Sequence, residues 1–132
     1  MASNVASVVQ FGGIGALEGP QDCIEFFRQE LRARRDLFYR GVGDVAGDIF
    51  SGHPPAGAFY AFLRINPAAR KAEGSASWKM VEYLIKQGRI GCVPGVDFGA
   101  GGEGYIRFCF ARDRRELTGA LASMKQLFGV PA

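Results

Sequence analysis

One stretch of this chain, Ile90–Ala111, most constrains what it can fold into. Within it, two short apolar runs, Ile90–Val93 and Tyr105–Ala111, flank a loop that contains five glycines. The runs are rich in β-branched and aromatic residues and are bounded by glycine and proline, a composition typical of β-strands. Because a loop of only about ten residues joins them, the sequence predicts that the two strands pair antiparallel.

A single charged residue, Arg107, interrupts the second apolar run between Ile106 and Phe108. A guanidinium group stays protonated in proteins, and burying it without a partner is costly. Arg107 must therefore pair with an acid of its own domain, such as Asp97 or Glu103, or face a cleft that an anion can enter. Both alternatives stay open on the sequence alone, and Arg107 is the first candidate site residue.

Two helices are predicted before the first long strand. Val5–Leu17 has apolar residues at helical spacing, but its three glycines each weaken a helix by about 1 kcal/mol, so a frayed or bent helix is expected. Proline fits the first helical position, so a second helix is predicted to begin at Pro20 and to end at Gly41 and Gly43. The apolar stripe of this helix consists of Ile24, Phe27, Leu31, Phe38 and Val42.

A strand and two further helices complete the pattern. Gly57–Ile65 is predicted to be a strand with apolar residues at both parities, so both of its faces are expected to be covered. A helix that ends at Gly88 follows, and its predicted buried stripe is Trp78, Val81, Leu84 and Ile85. Asp113 and Glu116 form a capping box for the last helix. Helices on one face of a small, mainly antiparallel sheet define an α+β domain, and residues 1–132 are predicted to be a single domain.

Composition excludes several classes of protein. The 132 residues carry a net charge of +3 and are 48% hydrophobic, which is typical of a globular domain and does not indicate a nucleic-acid partner. No secretory signal or membrane-spanning run is recognised. The three cysteines lack zinc and disulfide spacing, so no metal site is predicted and a cytoplasmic location is expected. A dyad of His53 with Cys92 or Cys109 stays open, without an acid or nucleophile next to the histidine in sequence.

Several motifs occur in the same order as in a known family. They are Pro55-Ala56-Gly57-Ala58-Phe59-Tyr60-Ala61-Phe62, Val93-Pro94-Gly95, Phe98-Gly99 and Gly102-Glu103-Gly104-Tyr105-Ile106-Arg107-Phe108-Cys109-Phe110-Ala111. Together they resemble the C-terminal, small domain of the class I/II aminotransferases, which are fold-type I enzymes that use pyridoxal 5′-phosphate (PLP). The resemblance extends over nearly the whole chain, from Ser7 to Gly129.

The resemblance implies roles for two residues. In the family, the arginine of this strand binds the α-carboxylate of the amino-acid substrate, and the matching residue here is Arg107. The family's Pro-x-Gly-x-Phe-Tyr-x-Phe strand lies near the mouth of the active site, so Phe59 is a second candidate on the substrate side. An ordinary core aromatic is an equal alternative for Phe59. An amino acid and a 2-oxo acid are the implied substrates.

The resemblance also implies what this chain lacks. The family's Schiff-base lysine lies in the large domain, and no matching lysine motif contains Lys71, Lys79, Lys86 or Lys125. No residue of this chain is therefore predicted to be catalytic or to bind PLP. The chain is expected to be a fragment, inactive alone, of a cytoplasmic transaminase that is a homodimer when complete.

Two other functions stay open. Another fold-type I PLP enzyme, such as a C–S lyase or a cyclopropane-carboxylate synthase, would keep the same arginine. Alternatively, the chain is a free-standing, non-catalytic α+β module that binds a small carboxylate or another protein. The sequence predicts neither the amino acid used nor the oligomeric state of the fragment.

Overall fold

The computed structural model of the protein describes residues 4–69 and 76–129. These residues form four α-helices: α1 (Ser7–Glu18), α2 (Asp22–Ala46), α3 (Ala76–Gly88) and α4 (Arg114–Phe128). They also form four strands: β1 (Phe50–Ser51), β2 (Tyr60–Ile65), β3 (Val93–Pro94) and β4 (Tyr105–Cys109). Short 3-10 turns lie at Pro67–Ala69, Gly95–Phe98 and Ala100–Gly102.

The strands form one antiparallel sheet in the order β1-β2-β4-β3. As predicted, the two strands of the glycine-rich stretch pair antiparallel, and the structure places Val93 opposite Arg107. On its other side β4 pairs with β2, which brings Phe62 opposite Arg107. Arg107 therefore has a neighbouring strand on each side, and the predicted α+β class is confirmed.

One face of the sheet carries the core. Buried residues alternate along β2 and β4, because successive side chains of a strand point to opposite faces. The buried strand residues are Ala61, Leu63, Ile65, Ile106 and Phe108. The helices contribute Phe38 and Val42 of α2, Val81 and Leu84 of α3, and Leu117 and Met124 of α4 to the same core. Each large apolar side chain buried in this way contributes about 1.5–3 kcal/mol.

The opposite face of the sheet is open, which differs from the prediction for β2. Phe62 is 41% exposed, although apolar residues at both parities of this strand predicted cover on both faces. In the structure, the apolar residues of the open face contact one another instead of a covering helix. Phe62 stacks on Tyr105, with ring centroids 5.1 Å apart. The open face is therefore aromatic rather than polar.

Helix α2 begins and ends at residues other than those predicted. It starts at Asp22 rather than Pro20, and it continues beyond both predicted terminal glycines to Ala46. Gly41 does not end the helix but allows it to approach α4, since a Cβ at this position would lie 2.3 Å from Leu121 Cδ1. Gly41 therefore provides space for a long-range contact, which the local sequence does not indicate.

Two predicted apolar stripes are buried only in part. The members that the structure buries are Phe38, Val42, Val81 and Leu84. The members that are exposed are Ile24, Phe27, Trp78 and Ile85, so the prediction that Trp78 and Ile85 are buried is wrong. Periodicity identifies the apolar face of a helix, but the strip that packs against the sheet is narrower than that face.

Helix α4 begins as predicted. Asp113 is the N-cap, and its carboxylate accepts a hydrogen bond from the Arg115 N–H at 2.8 Å. Such a cap contributes about 1 kcal/mol. Glu116, the other half of the predicted capping box, forms an ion pair with Arg112 at 2.8 Å. The cap fixes the point at which the chain leaves the sheet and turns into the helix.

The chain divides into two structural units, one that ends at Glu30 and one that begins at Leu31. In the first unit, α1 runs uninterrupted despite its glycines, and none of its residues is buried. The Gln21 side-chain amide caps α1 by donating to the Ala16 and Gly19 carbonyls at 3.0 and 2.8 Å. The second unit contains the sheet and its core. None of the described helices has the length and apolar character needed to cross a membrane.

Candidate functional site

The open face of the sheet is the candidate site, because Arg107 lies on it. This face is formed by alternate residues of β2 and β4, namely Tyr60, Phe62, Arg64, Tyr105, Arg107 and Cys109. Side chains directly opposite each other in an antiparallel pair have Cβ atoms about 4.5–5.5 Å apart. The register therefore places Phe62 beside Arg107 and Tyr105 beside Arg64.

The Arg107 guanidinium lies between two aromatic rings. Its Cζ is 4.3 Å from the centroid of the Tyr60 ring and 4.3 Å from the centroid of the Phe98 ring. Both distances are within the range of about 6 Å over which a ring face attracts a cation. The two rings therefore attract the one cation of an otherwise apolar strand.

Arg107 has no acidic partner in the part of the chain that the structure describes. No ion pair joins it to any acidic side chain of residues 4–69 and 76–129. Of the two acids that the sequence suggested, Glu103 accepts a hydrogen bond from the Ser77 N–H at 3.2 Å. Aromatic rings attract the charge but do not accept the paired in-plane hydrogen bonds that a carboxylate accepts from a guanidinium. Arg107 can therefore still bind an anion through these donors.

Phe59 lies at the edge of the same aromatic cluster. It precedes β2 instead of lying within the strand as predicted, and it is 40% exposed. Its ring centroid is 4.5 Å from that of Tyr60, so one ring separates Phe59 from Arg107. The Phe59 carbonyl accepts a hydrogen bond from the Phe110 N–H at 3.1 Å. This bond joins the backbone of Phe59 to the residue that directly follows β4.

Phe98 reaches Arg107 from the glycine-rich loop between β3 and β4. The loop closes on itself where Gly102 meets Gly95, since a Cβ on Gly102 would lie 2.0 Å from the Gly95 oxygen. Only glycine permits an approach this close. Gly99, directly after Phe98, has a φ of 119°, a backbone conformation that favours glycine. The glycines therefore form the compact turn that places Phe98 over Arg107.

Tyr60 and Phe98 were not identified as site residues from the sequence. Tyr60 has the parity that puts it on the same face as Arg107, but only the observed register brings the two together. Phe98 stands out as the one aromatic residue in a loop of mostly small residues, a signal that sequence reasoning could have used. Its contact with Arg107 depends on the fold of the whole loop.

The other reactive side chains do not form a second site among the described residues. Burial raises the pKa of the Cys92 thiol to about 12, so it is a poor nucleophile at neutral pH. His53 is exposed in a loop, and it has no hydrogen bond to a cysteine within residues 4–69 and 76–129. The same residues contain no group of three His, Cys, Asp or Glu side chains that could hold a metal ion.

The described lysines lie away from the open face. Lys79 and Lys86 are on α3 and Lys125 is on α4, the helices that pack on the core side of the sheet. Lys86 is paired with Glu82. Lys71 lies outside the described residues. The open face therefore carries the guanidinium of Arg107 but no described lysine, and the described residues do not fit a PLP site.

Fold and site together define a small α+β domain that presents an arginine between aromatic rings, without an ion pair to any acid that the structure describes. No protein-family model matches the chain. The "Probable aspartate aminotransferase" of Methanocaldococcus jannaschii is 37% identical over 119 residues, which are 90% of this chain and 29% of that protein. The aspartate aminotransferase of Pyrococcus horikoshii is 33% identical over 120 residues, 89% of this chain and 29% of that protein.

A solved structure gives the same result. The alanine aminotransferase of Pyrococcus furiosus superimposes with a TM-score of 0.79 at 27% identity, covering 90% of this chain and 29% of that chain. The chain is therefore homologous to the C-terminal part of the fold-type I aminotransferases and shares its fold, as the motifs predicted. It spans 29% of the length of the curated relatives it matches.

Proposed function

We propose that this chain is the C-terminal, small domain of a PLP-dependent aminotransferase, in which Arg107 binds the α-carboxylate of the substrate. The enzyme transfers an amino group from an amino acid to a 2-oxo acid. Homology to named aminotransferases and coverage of 29% of their length support the assignment. The observation that carries the role of Arg107 is its guanidinium, which lies half-buried on the open face between two rings and has no ion pair with an acid of residues 4–69 and 76–129.

The chemistry of Arg107 suits this role. Arginine presents its donors as a rigid planar fork that matches both oxygens of a carboxylate, so it fixes the distance and the angle of the bound group. Charge-assisted hydrogen bonds of this kind contribute about 1.5–3 kcal/mol each. Both substrates of a transaminase carry a carboxylate next to the reacting carbon, so one arginine can orient each of them in turn.

Phe59 is proposed to line the substrate side of the same face. Its exposure of 40% favours this role over that of a core aromatic, because core residues of this domain are nearly inaccessible. It also supports Tyr60, which contacts Arg107.

PLP is proposed to be held by a part of the whole protein outside this chain. Family membership supports the cofactor, whereas the described residues supply no lysine on the open face. In the first structural unit, large apolar side chains are exposed: Val5, Val8, Val9, Phe11, Ile14, Leu17, Ile24, Phe26 and Phe27. A patch of this kind usually marks an interaction site, and a large domain in the same polypeptide would cover it.

A homodimer and a cytoplasmic location complete the proposal. The three cysteines are free, which suits a reducing compartment. The dimer is proposed from the family alone.

The test replaces Arg107 by lysine in the whole enzyme. Lysine keeps the charge but lacks the planar fork, so one charge-assisted bond is lost. The KM for the amino acid is expected to rise by about ten- to hundredfold, since 1.4 kcal/mol corresponds to a factor of ten. Arg64→Lys is the matched control, because Arg64 is another arginine on the same face of the sheet. An unchanged KM for Arg107→Lys, or an equal rise for Arg64→Lys, would remove the carboxylate role.

A further inference from the structure

Ser77 stands out because it is the single buried polar side chain among the described residues, with 0% exposure. It lies at the beginning of α3, where that helix approaches the end of the glycine-rich loop. A buried hydroxyl in a small apolar core is unfavourable unless its hydrogen bonds are satisfied. What it bonds to therefore indicates why a serine is there.

Ser77 holds three consecutive residues of the loop. Its Oγ accepts a hydrogen bond from the Gly104 N–H at 2.8 Å and donates one to the Gly102 carbonyl at 3.4 Å. Its backbone N–H donates to the Glu103 carboxylate at 3.2 Å. One helical residue thus fixes the point at which the loop joins β4.

The rest of the loop is closed by contacts of its own. The Gly104 carbonyl accepts a hydrogen bond from the Ile65 N–H at 2.8 Å, which ties this end of the loop to β2. Gly102 donates its N–H to the Gly99 carbonyl at 2.9 Å, and it lies too close to Gly95 for either to carry a side chain. The loop is therefore closed by its own contacts, and the side chain of Ser77 joins it to α3 by hydrogen bonds.

Phe98 takes its position from this loop. Its side chain is 53% exposed, so it is not held by a surrounding core. Its ring contacts the Arg107 guanidinium and meets the Phe62 ring edge-on, with centroids 6.4 Å apart. Glycine backbones are the least restricted, so without an anchor the loop would allow Phe98 several positions.

We propose that Ser77 is a positioning residue for Arg107. By holding Gly102 and Gly104, it fixes the loop that carries Phe98, and Phe98 confines the guanidinium from one side. Removal of the hydroxyl would free the loop without altering Arg107 or any residue of the open face. The identity of the ligand of Arg107 rests on the proposed function. The positioning of Arg107 by Ser77 does not depend on that function.

The experiment observes the Arg107 Nε–H resonance by NMR in the 132-residue chain, with Arg107→Lys used to assign it. A proton over two ring faces is shifted upfield, and Phe98→Leu measures how much of that shift Phe98 causes. Ser77→Ala is expected to lose the part of the shift that Phe98→Leu loses, together with the cross-peaks between the Phe98 ring and Arg107. Thr118→Ala is the matched control, because the Thr118 hydroxyl bonds only to carbonyls of its own helix.

The outcomes separate positioning from plain stabilisation. If folded Ser77→Ala keeps the full upfield shift and the cross-peaks, Ser77 only stabilises the fold and the inference is overturned. If Ser77→Ala does not fold, Ser77→Cys preserves the volume with a much weaker hydrogen-bonding group. The same loss of shift in Ser77→Cys supports positioning, and an unchanged shift contradicts it.

A separate measurement decides the proposed function. Propionate is added to the unsubstituted chain as a carboxylate probe, and the Arg107 resonances are followed during the titration. No response would count against the carboxylate role of Arg107. The comparison of Ser77→Ala with the unsubstituted chain is made without propionate, so it still decides whether Ser77 positions Arg107.

Discussion

Replacing Ser77 by alanine is expected to destabilise the second structural unit by about 2 kcal/mol. The substitution removes the acceptor of the Gly104 N–H, a hydrogen bond of 2.8 Å in which both residues are buried. A buried donor left without a partner costs about 1–3 kcal/mol. The bond to the Gly102 carbonyl, at 3.4 Å, is longer and adds less.

The assay is equilibrium unfolding of the 132-residue chain in urea, with thermal unfolding alongside. For a domain of roughly this size, 1 kcal/mol lowers Tm by about 4–8 °C, so the expected decrease is about 8–16 °C. Ser77→Ala should lower the urea midpoint while leaving the slope of the free energy against urea unchanged, because the surface exposed on unfolding is the same.

Thr118→Ala again provides the control. Its hydroxyl bonds to the Arg114 and Arg115 carbonyls, both at 3.0 Å, on an exposed part of α4. Its removal should change the free energy of unfolding by no more than about 0.5 kcal/mol. A loss for Ser77→Ala that is as small as the loss for Thr118→Ala would refute the reasoning, since it would mean that the buried bond to the loop contributes nothing.

Three further predictions follow from burial and pairing. Burial raises the pKa of the Cys92 thiol to about 12, so a thiol reagent at pH 8 should label the exposed Cys23 before it labels Cys92. Above pH 9 the free energy of unfolding should decrease, because the unfolded chain releases the Cys92 proton and the folded chain does not. A hydrogen bond from Arg28 lowers the pKa of Glu25 from 4.5 to about 2, so an NMR titration should show that Glu25 is still ionised at pH 4. The stability that this pair gives to α2 should be fully present above pH 4.5 and be lost as the pH falls toward 2. Leu84→Ala should lower the free energy of unfolding by about 2–5 kcal/mol, whereas Ile85→Ala, at a position that is 49% exposed, should cost much less; equal losses would contradict the core assignment.

For the second structural unit, the sequence predicted the fold class better than the ends and the packing of the individual elements. Helical stripes and β-rich runs predicted the four helices, the last three strands, the antiparallel pairing of the last two strands and the α+β class, but they did not predict the short strand β1. Ends of helices were less predictable, because Gly41 reflects a close contact with Leu121 rather than a helix terminus. Trp78 was predicted to be buried because it fits an apolar stripe, but the stripe is wider than the contact that α3 makes with the core.

For the candidate site too, some residues could be predicted from the sequence and others could not. Arg107 could be found because a cation inside an apolar strand requires an explanation, and Phe59 followed from the family motif. The roles of Tyr60 and Ser77 gave no signal in the sequence, because each contacts a residue that is distant in sequence. Phe98 gave a signal as the one aromatic residue of its loop, but its contact with Arg107 depends on the fold of that loop.

The chain's own sequence determined which segments become helices and strands, because hydrophobic periodicity and the choice of glycine, proline and capping residues act over a few neighbouring positions. It also determined that one arginine would stand in a strand of apolar residues. Only the tertiary structure decided that, among the described residues, two aromatic rings and no acid flank this arginine. That outcome depends on the register of the strands, on which face of the sheet the helices cover, and on a loop that is bonded to a helix about 25 residues earlier in the chain. Each of these is set by contacts between residues that are distant in sequence.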